Sequence, residues 1–529
     1  MSRLLSLHIQ NFRGIKDLNC EFSDSKICCL IGHCDSGKTT ILTAISYLFS
    51  SSWTIPVCDE DFYNLNIENP IVISGIITNV PQKLTLFDKF GLDQFEMEME
   101  ADKLICMELV LTVDKELDPK WEIHNRINDE YHAISNKDRA LFKIRMIDDY
   151  FDTQFNMSKY STLKSLVSMT EGADDLSSNI GIDLIRDIKS RLKISSETDQ
   201  KVSKVLNESI FKVGGEQHKY SLSVPMAELM LRGNQISLQA DTIPVRLLGK
   251  GTRRQLSFAL QLATNDDNVS AILVDEIEQG LEPYKIKTVV RALKDSECQV
   301  FITTHSDMVL AELDASDLYL VRKGRNTLFH LDGNFQALLR SNPDAFFFDK
   351  VIVCEGETEY GFIIELDRYL WHRSGRTISS FSASPIIGKG SNIVDYVSLL
   401  NQIGIECMCF IDNDVDDIIP KLDKTATVCS CENGNSIEQQ LFKDAPDTVV
   451  DELISSAQEQ TKLKNPYVKT DDFRTSLGAQ AKSGRWYKSV TGGRYIGKVL
   501  FEHLDEMDKN TCLYKEIDRI NEWLNDDVL

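Results

Sequence analysis

The sequence predicts an α/β protein built from successive sheet-and-helix units, and three stretches predict it. "KICCLIGHCDSGKTTILTAISYLF" (26–49) reads as an apolar strand over Ile27–Ile31, a loop, and a helix whose Ile41, Leu42, Ile45, Leu48 and Phe49 recur with a helical period. "SAILVDEIEQGLEP" (270–283) is an apolar strand, Ala271–Val274, that stops on two acids, Asp275 and Glu276. "VIVCEGETEYGFIIELDRYL" (351–370) also runs from an apolar strand into acids, Glu355, Glu357 and Glu359, before a helix begins. At 529 residues the chain is several times the length of a typical domain, so several domains are expected.

The loop after the first strand fits G-x-x-x-x-G-K-[ST] with Gly32, Gly37, Lys38 and Thr39, and Asp35, Ser36 and Thr40 complete its cradle. Glycines let main-chain N–H groups curl around phosphate oxygens, the helix N-terminus adds positive potential, a lysine reaches the terminal phosphates, and a hydroxyl ligates magnesium. ATP with one Mg²⁺ is the expected ligand. Asp275, at a strand end beside such a loop, can hold the magnesium shell, and Glu276 can polarise the attacking water. A further buried strand, "CQVFITTHSD" (298–307), ends at His305, placed for the γ-phosphate side.

More than a hundred residues separate Lys38 from Asp275, so a large insert lies between the two nucleotide motifs. With that spacing, "LHIQNFRGIKDLNCEF" (7–22) and "EQGLEP" (278–283) make the chain resemble ATP-binding-cassette ATPases of the SMC, Rad50 and RecF kind. The resemblance implies a signature segment that caps the nucleotide of a second subunit. "LLGKGTRRQLSFALQLA" (247–263) stands in that place, with Gly249, Gly251 and Thr252 ahead of a helix, and departs from the usual Leu-Ser-Gly-Gly-Gln. ATP sandwiched between two copies implies a homodimer or a higher homo-oligomer. Within the insert, "NPIVISGIITNV", "LICMELVLTVD" and "WEIHNRIN" alternate as strands do, whereas 136–210 is charged and helix-like without heptads, which points to a compact helical dimerisation insert rather than a coiled-coil arm.

A new α/β unit starts at "NPDAFFFDKVIVCEGETEYGF". Glu355 ends the strand Lys350–Cys354, and Glu359 lies one helical turn on, facing the same way. "IECMCFIDNDVDD" (405–417) gives another strand, ending in Asp412 and Asp414 with Asp416 and Asp417 behind. Parallel strands collect their ends at one edge, so the acids can converge. Unpaired carboxylates there repel, and divalent metal relieves that repulsion. Between them "SPIIGKGSNIVDYVSLLNQIGI" (384–405) is a strand, a Gly-Lys-Gly turn and a helix. The order E-G-x-x-E, strand–turn–helix, D-x-D resembles the Toprim fold of topoisomerases, primases and related nucleases. Cys354, the last residue of a buried strand, reads as core and not as a nucleophile.

An SMC-like ATPase followed by a Toprim domain is similar to the OLD (overcoming lysogenization defect) family of nucleases. That resemblance implies DNA cleavage with two Mg²⁺ or Mn²⁺ ions and a role in defence against bacteriophage. It implies one ion held by Glu355, Asp412 and Asp414, a second by Glu359 and by Glu438 of "NSIEQQL", and a transition-state lysine, Lys488 in preference to Lys482. The expected layout is ATPase over 1–135 and 211–340, the insert at 136–210, Toprim at 341–450, and a helical extension with a basic segment at 451–529. A DNA-binding ATPase of the RecF kind without nuclease activity and an RNA- or tRNA-cleaving toxin are the alternatives. A neighbour-encoded partner, such as a helicase or a reverse transcriptase with its noncoding RNA, is compatible with either.

Net charge bounds the substrate contact. At −23 the summed field repels polyanions, so nucleic acid is expected to meet a local patch. Residues 473–501 contain no Asp or Glu and carry Arg474, Lys482, Arg485, Lys488, Arg494 and Lys498 among Trp486, Tyr487 and Tyr495, a composition suited to phosphate contacts and base stacking. The sequence holds no apolar run long enough for a membrane span and no leader pattern at its N-terminus, and its 13 cysteines form no C-x-x-C pair. A reduced, cytoplasmic protein without a membrane partner is expected.

Overall fold

The computed structural model describes residues 2–22, 26–99, 102–147, 155, 162–168, 196–212, 218, 220–223, 237–263, 269–412, 418–432, 434–461, 473–485 and 487–525. The chain divides into two compact units after Gly333, a little before the boundary at 340 expected from sequence.

In the first unit, strands β1 (Arg3–Phe12), β2 (Ile15–Glu21), β4 (Ile71–Thr78), β5 (Phe95–Met99), β6 (Asp102–Val113), β7 (Pro119–Asn125) and β8 (Glu130–Ala133) form an antiparallel sheet in the order β2-β1-β4-β6-β7-β8, with β5 also on β6. Its alternating strands bury one row of apolar residues, including Leu7, Ile9, Ile73, Leu109, Leu111 and Ile123, against the helix Lys38–Leu48. A second sheet runs β16 (Phe329–His330), β15 (Leu318–Leu320), β3 (Ile27–Ile31), β14 (Gln299–Thr303), β13 (Ala271–Val274) and β9 (Ile144–Ile147), parallel except at β16. β3, β13 and β14 are buried along their whole length, which is why β3 and β13 read as unbroken apolar runs and β14 is apolar over Val300–Ile302. Three short strands, β10 (Tyr220–Ser223), β11 (Ser237–Ala240) and β12 (Ile243–Pro244), make a small sheet beside the helix Ser196–Lys212.

One assignment changes. Residues 136–147, placed by sequence in the helical insert, lead into β9, whose Ile144–Ile147 pairs with Ala271–Val274 at the edge of the parallel sheet. "IGIDLIRDIKSRLKI" (180–194), the stretch that suggested a helical insert, lies outside the described residues.

The second unit holds a four-stranded parallel sheet in the order β18 (Ala383–Ile387), β17 (Lys350–Cys354), β19 (Glu406–Ile411), β20 (Thr427–Ser430). The strand order reverses between β17 and β19, the position at which parallel sheets bind ligands beyond the carboxyl ends of their strands. Helices Glu357–Ser374 and Val490–Glu502 pack at backbone contact: a Cβ on Gly361 would stand 2.2 Å from Val490 O, and one on Gly493 2.0 Å from Thr358 O. Gly493→Ala is therefore expected to force the helices apart, at a cost of about 2 kcal/mol or more. The measurement is the thermal midpoint of the C-terminal unit against wild type. Among the described residues no helix is long and apolar enough to cross a membrane.

Candidate active sites

β3 delivers the chain into the phosphate loop through two glycines in the left-handed region. Gly32 has φ +135°, and a Cβ there would stand 2.3 Å from Val321 O; Gly37, at φ +104°, caps the helix Lys38–Leu48. Lys38 folds back over the loop, its Nζ donating to Gly32 O (3.0 Å) and His33 O (2.8 Å). Burial lowers its pKa, a bias that negative phosphate oxygens would reverse.

Asp275, just past β13, accepts from Thr39 Oγ1 (3.0 Å) and Thr303 Oγ1 (2.6 Å) on one carboxylate oxygen. The hydroxyl and the carboxylate needed for a magnesium shell are thus already together. Glu276 follows at φ +44°, its N–H donating to Thr303 Oγ1 (2.8 Å), and lines the same cavity as the loop. Arg254, only 1% exposed, donates to the carbonyls of Asp275 (2.5 Å) and Glu276 (3.1 Å). Arg254→Ala would strand two carbonyls and a cavity behind the acids. It is expected to cost about 3 kcal/mol and to slow ATP hydrolysis, read by thermal melting and phosphate release.

His305 reaches the cavity through a partner that sequence reading missed. Glu278 accepts the His305 N–H (2.7 Å) on one oxygen and Thr304 Oγ1 (2.7 Å) on the other. Burial, with Lys38 nearby, lowers the His305 pKa and favours the neutral ring. The cavity, about 780 Å³, is lined by residues 34–40, Glu276 and His305, by Arg13 and Lys16 of the 7–22 stretch, and by Arg322, Lys323 and Arg325, cations that no motif announced. Gly249 and Gly251 do not line it. Gly251 packs on the chain's own turn, where a Cβ would meet Gly280 O at 2.6 Å, and a Cβ on Gly249 would meet nothing.

In the second unit the acids gather beyond the carboxyl ends of β17 and β19. Glu355 Oε2 accepts the Asp412 N–H (3.0 Å), so the residues that end the two strands touch. Asp412 Oδ1 accepts the Ile437 N–H (2.6 Å) at the start of the helix Ile437–Asp444. Ser436 caps that helix and donates to Glu438 Oε2 (2.8 Å), which fixes the fully buried Glu438 beside Asp412. Glu359 Oε2 accepts the Gly356 N–H (2.9 Å) in the first turn of its helix. Lys488 Nζ stands 3.6 Å from Glu438 Oε1 and 3.8 Å from Asp412 Oδ2. Lys482 sits on the preceding helix, Phe473–Gly484.

Electrostatics mark this cluster as short of positive charge. Burial, followed by the neighbouring carboxylates, pushes Glu359 up to about 7 and Asp412 up to about 8. Burial opposes the charge on Lys488, yet Glu438, Asp412 and Glu359 outweigh it and raise its pKa. Glu359 Oε1 and Glu438 Oε1 are buried and accept no hydrogen bond. Glu438 Oε1 has the Lys488 ammonium at 3.6 Å, beyond hydrogen-bond distance, and Glu359 Oε1 has no donor; hard, desolvated oxygens of this kind are what Mg²⁺ or Mn²⁺ would satisfy, so the donor set fits such ions. Among the described residues no three acids yet converge as a closed coordination set, and Asp414, Asp416 and Asp417 lie outside those residues. Glu357 is exposed in the first turn of its helix. Cys354 is buried, with its thiol pushed well above its ordinary range by burial, so it is not a nucleophile.

The basic segment needs correcting. Tyr487 is 2% exposed, and its hydroxyl donates to Leu453 O (3.0 Å); Tyr495 packs on the same core. The Tyr487 ring is therefore closed to bases, while Tyr495 is half-buried against the core. Arg474 binds the carbonyls of Phe442, Lys443 and Ala445, and Arg494 pairs with Glu365 (2.8 Å). Much of the segment is therefore structural, and Trp486 lies outside the described residues.

Comparison with known proteins gives a consistent order. Family models match residues 3–174 (AAA ATPase domain), 179–311 (an AAA domain of the Type IV TA system class) and 346–414 (overcoming lysogenization defect protein-like, TOPRIM domain). Similar solved structures include the Smc head domain with an extended coiled coil from Pyrococcus furiosus, 13% identical over 63% of this chain and 97% of that one, with a TM-score of 0.38. The SMC head domain from Thermotoga maritima is 16% identical over 62% and 99% (TM-score 0.31), and the recombination mediator protein RecF is 14% identical over 63% and 98% (TM-score 0.37). A search of curated proteins found no match. An ATPase domain thus precedes an OLD-like Toprim domain in one chain.

Proposed function

We propose, for a chain with the build of an OLD-family ATPase–Toprim fusion, that the C-terminal unit is a divalent-metal-dependent DNA endonuclease governed by ATP at the N-terminal unit. The observation that carries this reading is the cluster of Glu355, Glu359, Asp412 and Glu438 at one sheet edge, with two buried carboxylate oxygens that accept no hydrogen bond and one lysine beside them. Glu355, Asp412 and Asp414 would hold one Mg²⁺ or Mn²⁺, and Glu359 and Glu438 a second. Bound there, such ions lower the pKa of water and stabilise the charge that develops on phosphorus and on the leaving 3′ oxygen. Ser436 fixes Glu438, the Ile437 N–H fixes Asp412, and Lys488 Nζ lies where it can neutralise negative charge on a phosphate at the acids.

At the other site Lys38 and the loop N–H groups would bind the terminal phosphates of ATP, Thr39 and Asp275 would hold the magnesium, and Glu276 and His305, the latter held by Glu278, would act on the γ-phosphate side. Gly249 and Gly251, turned away from their own chain's cavity, would close the nucleotide of a second copy, which makes a homodimer part of the cycle. Defence against bacteriophage is the setting this activity suits. The test is incubation with supercoiled plasmid and with total RNA in Mg²⁺ or Mn²⁺, with and without ATP. Nicked or linear plasmid that requires metal supports the reading. Cleavage confined to RNA moves the same chemistry to the toxin alternative, and binding without cleavage of either moves it to a RecF-like ATPase.

A further inference from the structure

The Gly-Lys-Gly turn after β18 has no part in the chemistry above, yet it is built onto the acid edge. Gly388 N–H donates to Cys354 O (2.7 Å) and Gly390 N–H to Glu355 O (3.1 Å), so the turn hangs from the end of the strand that presents Glu355. A Cβ on Gly388 would stand 2.2 Å from Ile393 Cγ1, and Gly390 sits at φ +61°, so both flanks call for glycine. Between them Lys389 is itself left-handed, at φ +53°, where a long side chain is disfavoured and glycine or asparagine is the usual choice. Its side chain is exposed, and among the described residues no hydrogen bond or ion pair engages it. Lys488 is already committed to the acids; Lys389 brings a second cation on a flexible four-carbon stem to the same edge of a chain whose net charge is −23.

We propose that Lys389 is a positioning residue that holds a backbone phosphate of the nucleic-acid substrate beside Glu355. The inference rests on the nuclease reading. A phosphate contact of this kind adds affinity without base preference and lets one strand settle against the acids despite the repulsion of the protein as a whole.

The test is the KM and kcat of plasmid cleavage, with the salt dependence of duplex binding, for wild type, Lys389→Ala, Lys389→Arg and Lys389→Gly. Lys389→Ala is expected to raise KM about tenfold with kcat within about twofold, and to reduce the slope of log affinity against log salt by about one. Lys389→Arg should restore most of the affinity. Lys389→Gly should reproduce the KM defect with an unchanged or higher melting temperature, because glycine relaxes the left-handed turn. Wild-type KM and salt slope in Lys389→Ala, while wild type cleaves normally, overturn this proposal alone. A wild-type protein that neither binds nor cleaves nucleic acid in any metal overturns the nuclease reading and this proposal with it.

Discussion

Asp412→Asn is expected to lower metal-dependent cleavage of a nucleic-acid backbone on the order of a thousandfold or more, because it removes a metal-facing charge that supplies several kcal/mol in the transition state. ATP hydrolysis should stay within about twofold, since Asp412 belongs to the C-terminal unit and the phosphate loop to the other. The substitution keeps the acceptor for the Ile437 N–H, so the helix Ile437–Asp444 should hold its place. A second readout separates this from unfolding. Glu359 and Asp412 have pKa values raised above their unfolded values of 4.5 and 3.8, to about 7 and about 8, so the folded state binds protons more tightly than the unfolded one. Their contribution to stability is full below about pH 4 and is lost as pH rises toward 8. Metal-free wild type should therefore melt lower at pH 8 than at pH 5, added Mg²⁺ or Mn²⁺ should recover the loss, and Asp412→Asn should show a flatter pH profile with a smaller metal response. Differential scanning fluorimetry at the two pH values, with and without metal, reads all three.

Lys38→Ala is expected to weaken ATP binding and to abolish hydrolysis by on the order of a hundredfold or more, the scale for loss of one preorganised charge at a phosphoryl group. Its Nζ now sits on the carbonyls of Gly32 and His33, contacts that neutral alanine does not replace but that solvent can. Fold stability without nucleotide should change little, whereas the rise in melting temperature on adding ATP and Mg²⁺ should vanish. If ATP governs the nuclease, plasmid cleavage by this variant should no longer respond to added ATP, which fluorimetry and a cleavage assay together check.

Both sites announce themselves in short stretches because their chemistry is local. Gly32, Gly37 and Lys38 must follow one another for a loop to wrap phosphate, and Glu355 and Glu359 must be one turn apart to share a face. What sequence reading missed is tertiary. Glu278 looks like a turn residue until β14 brings the His305 N–H to it, and Arg254 sits in a signature-like helix until its guanidinium is seen beneath Asp275 and Glu276. Arg322, Lys323 and Arg325 come to the nucleotide cavity from a loop far in sequence from the phosphate loop they face. The basic–aromatic segment misled because Tyr487 and Tyr495 serve the hydrophobic core between helices, a use that shares its composition with base stacking. β9 was absorbed into the insert because an edge strand of four residues carries too little pattern to stand out.

The most direct test of the account is purified protein on supercoiled plasmid in Mn²⁺, beside the same mixture in excess EDTA and beside Glu355→Ala. The account predicts nicked or linear DNA in Mn²⁺ alone, with none in EDTA and none from the variant. Cleavage that persists in EDTA or in Glu355→Ala, or intact plasmid and intact RNA under every metal and nucleotide condition, would contradict it.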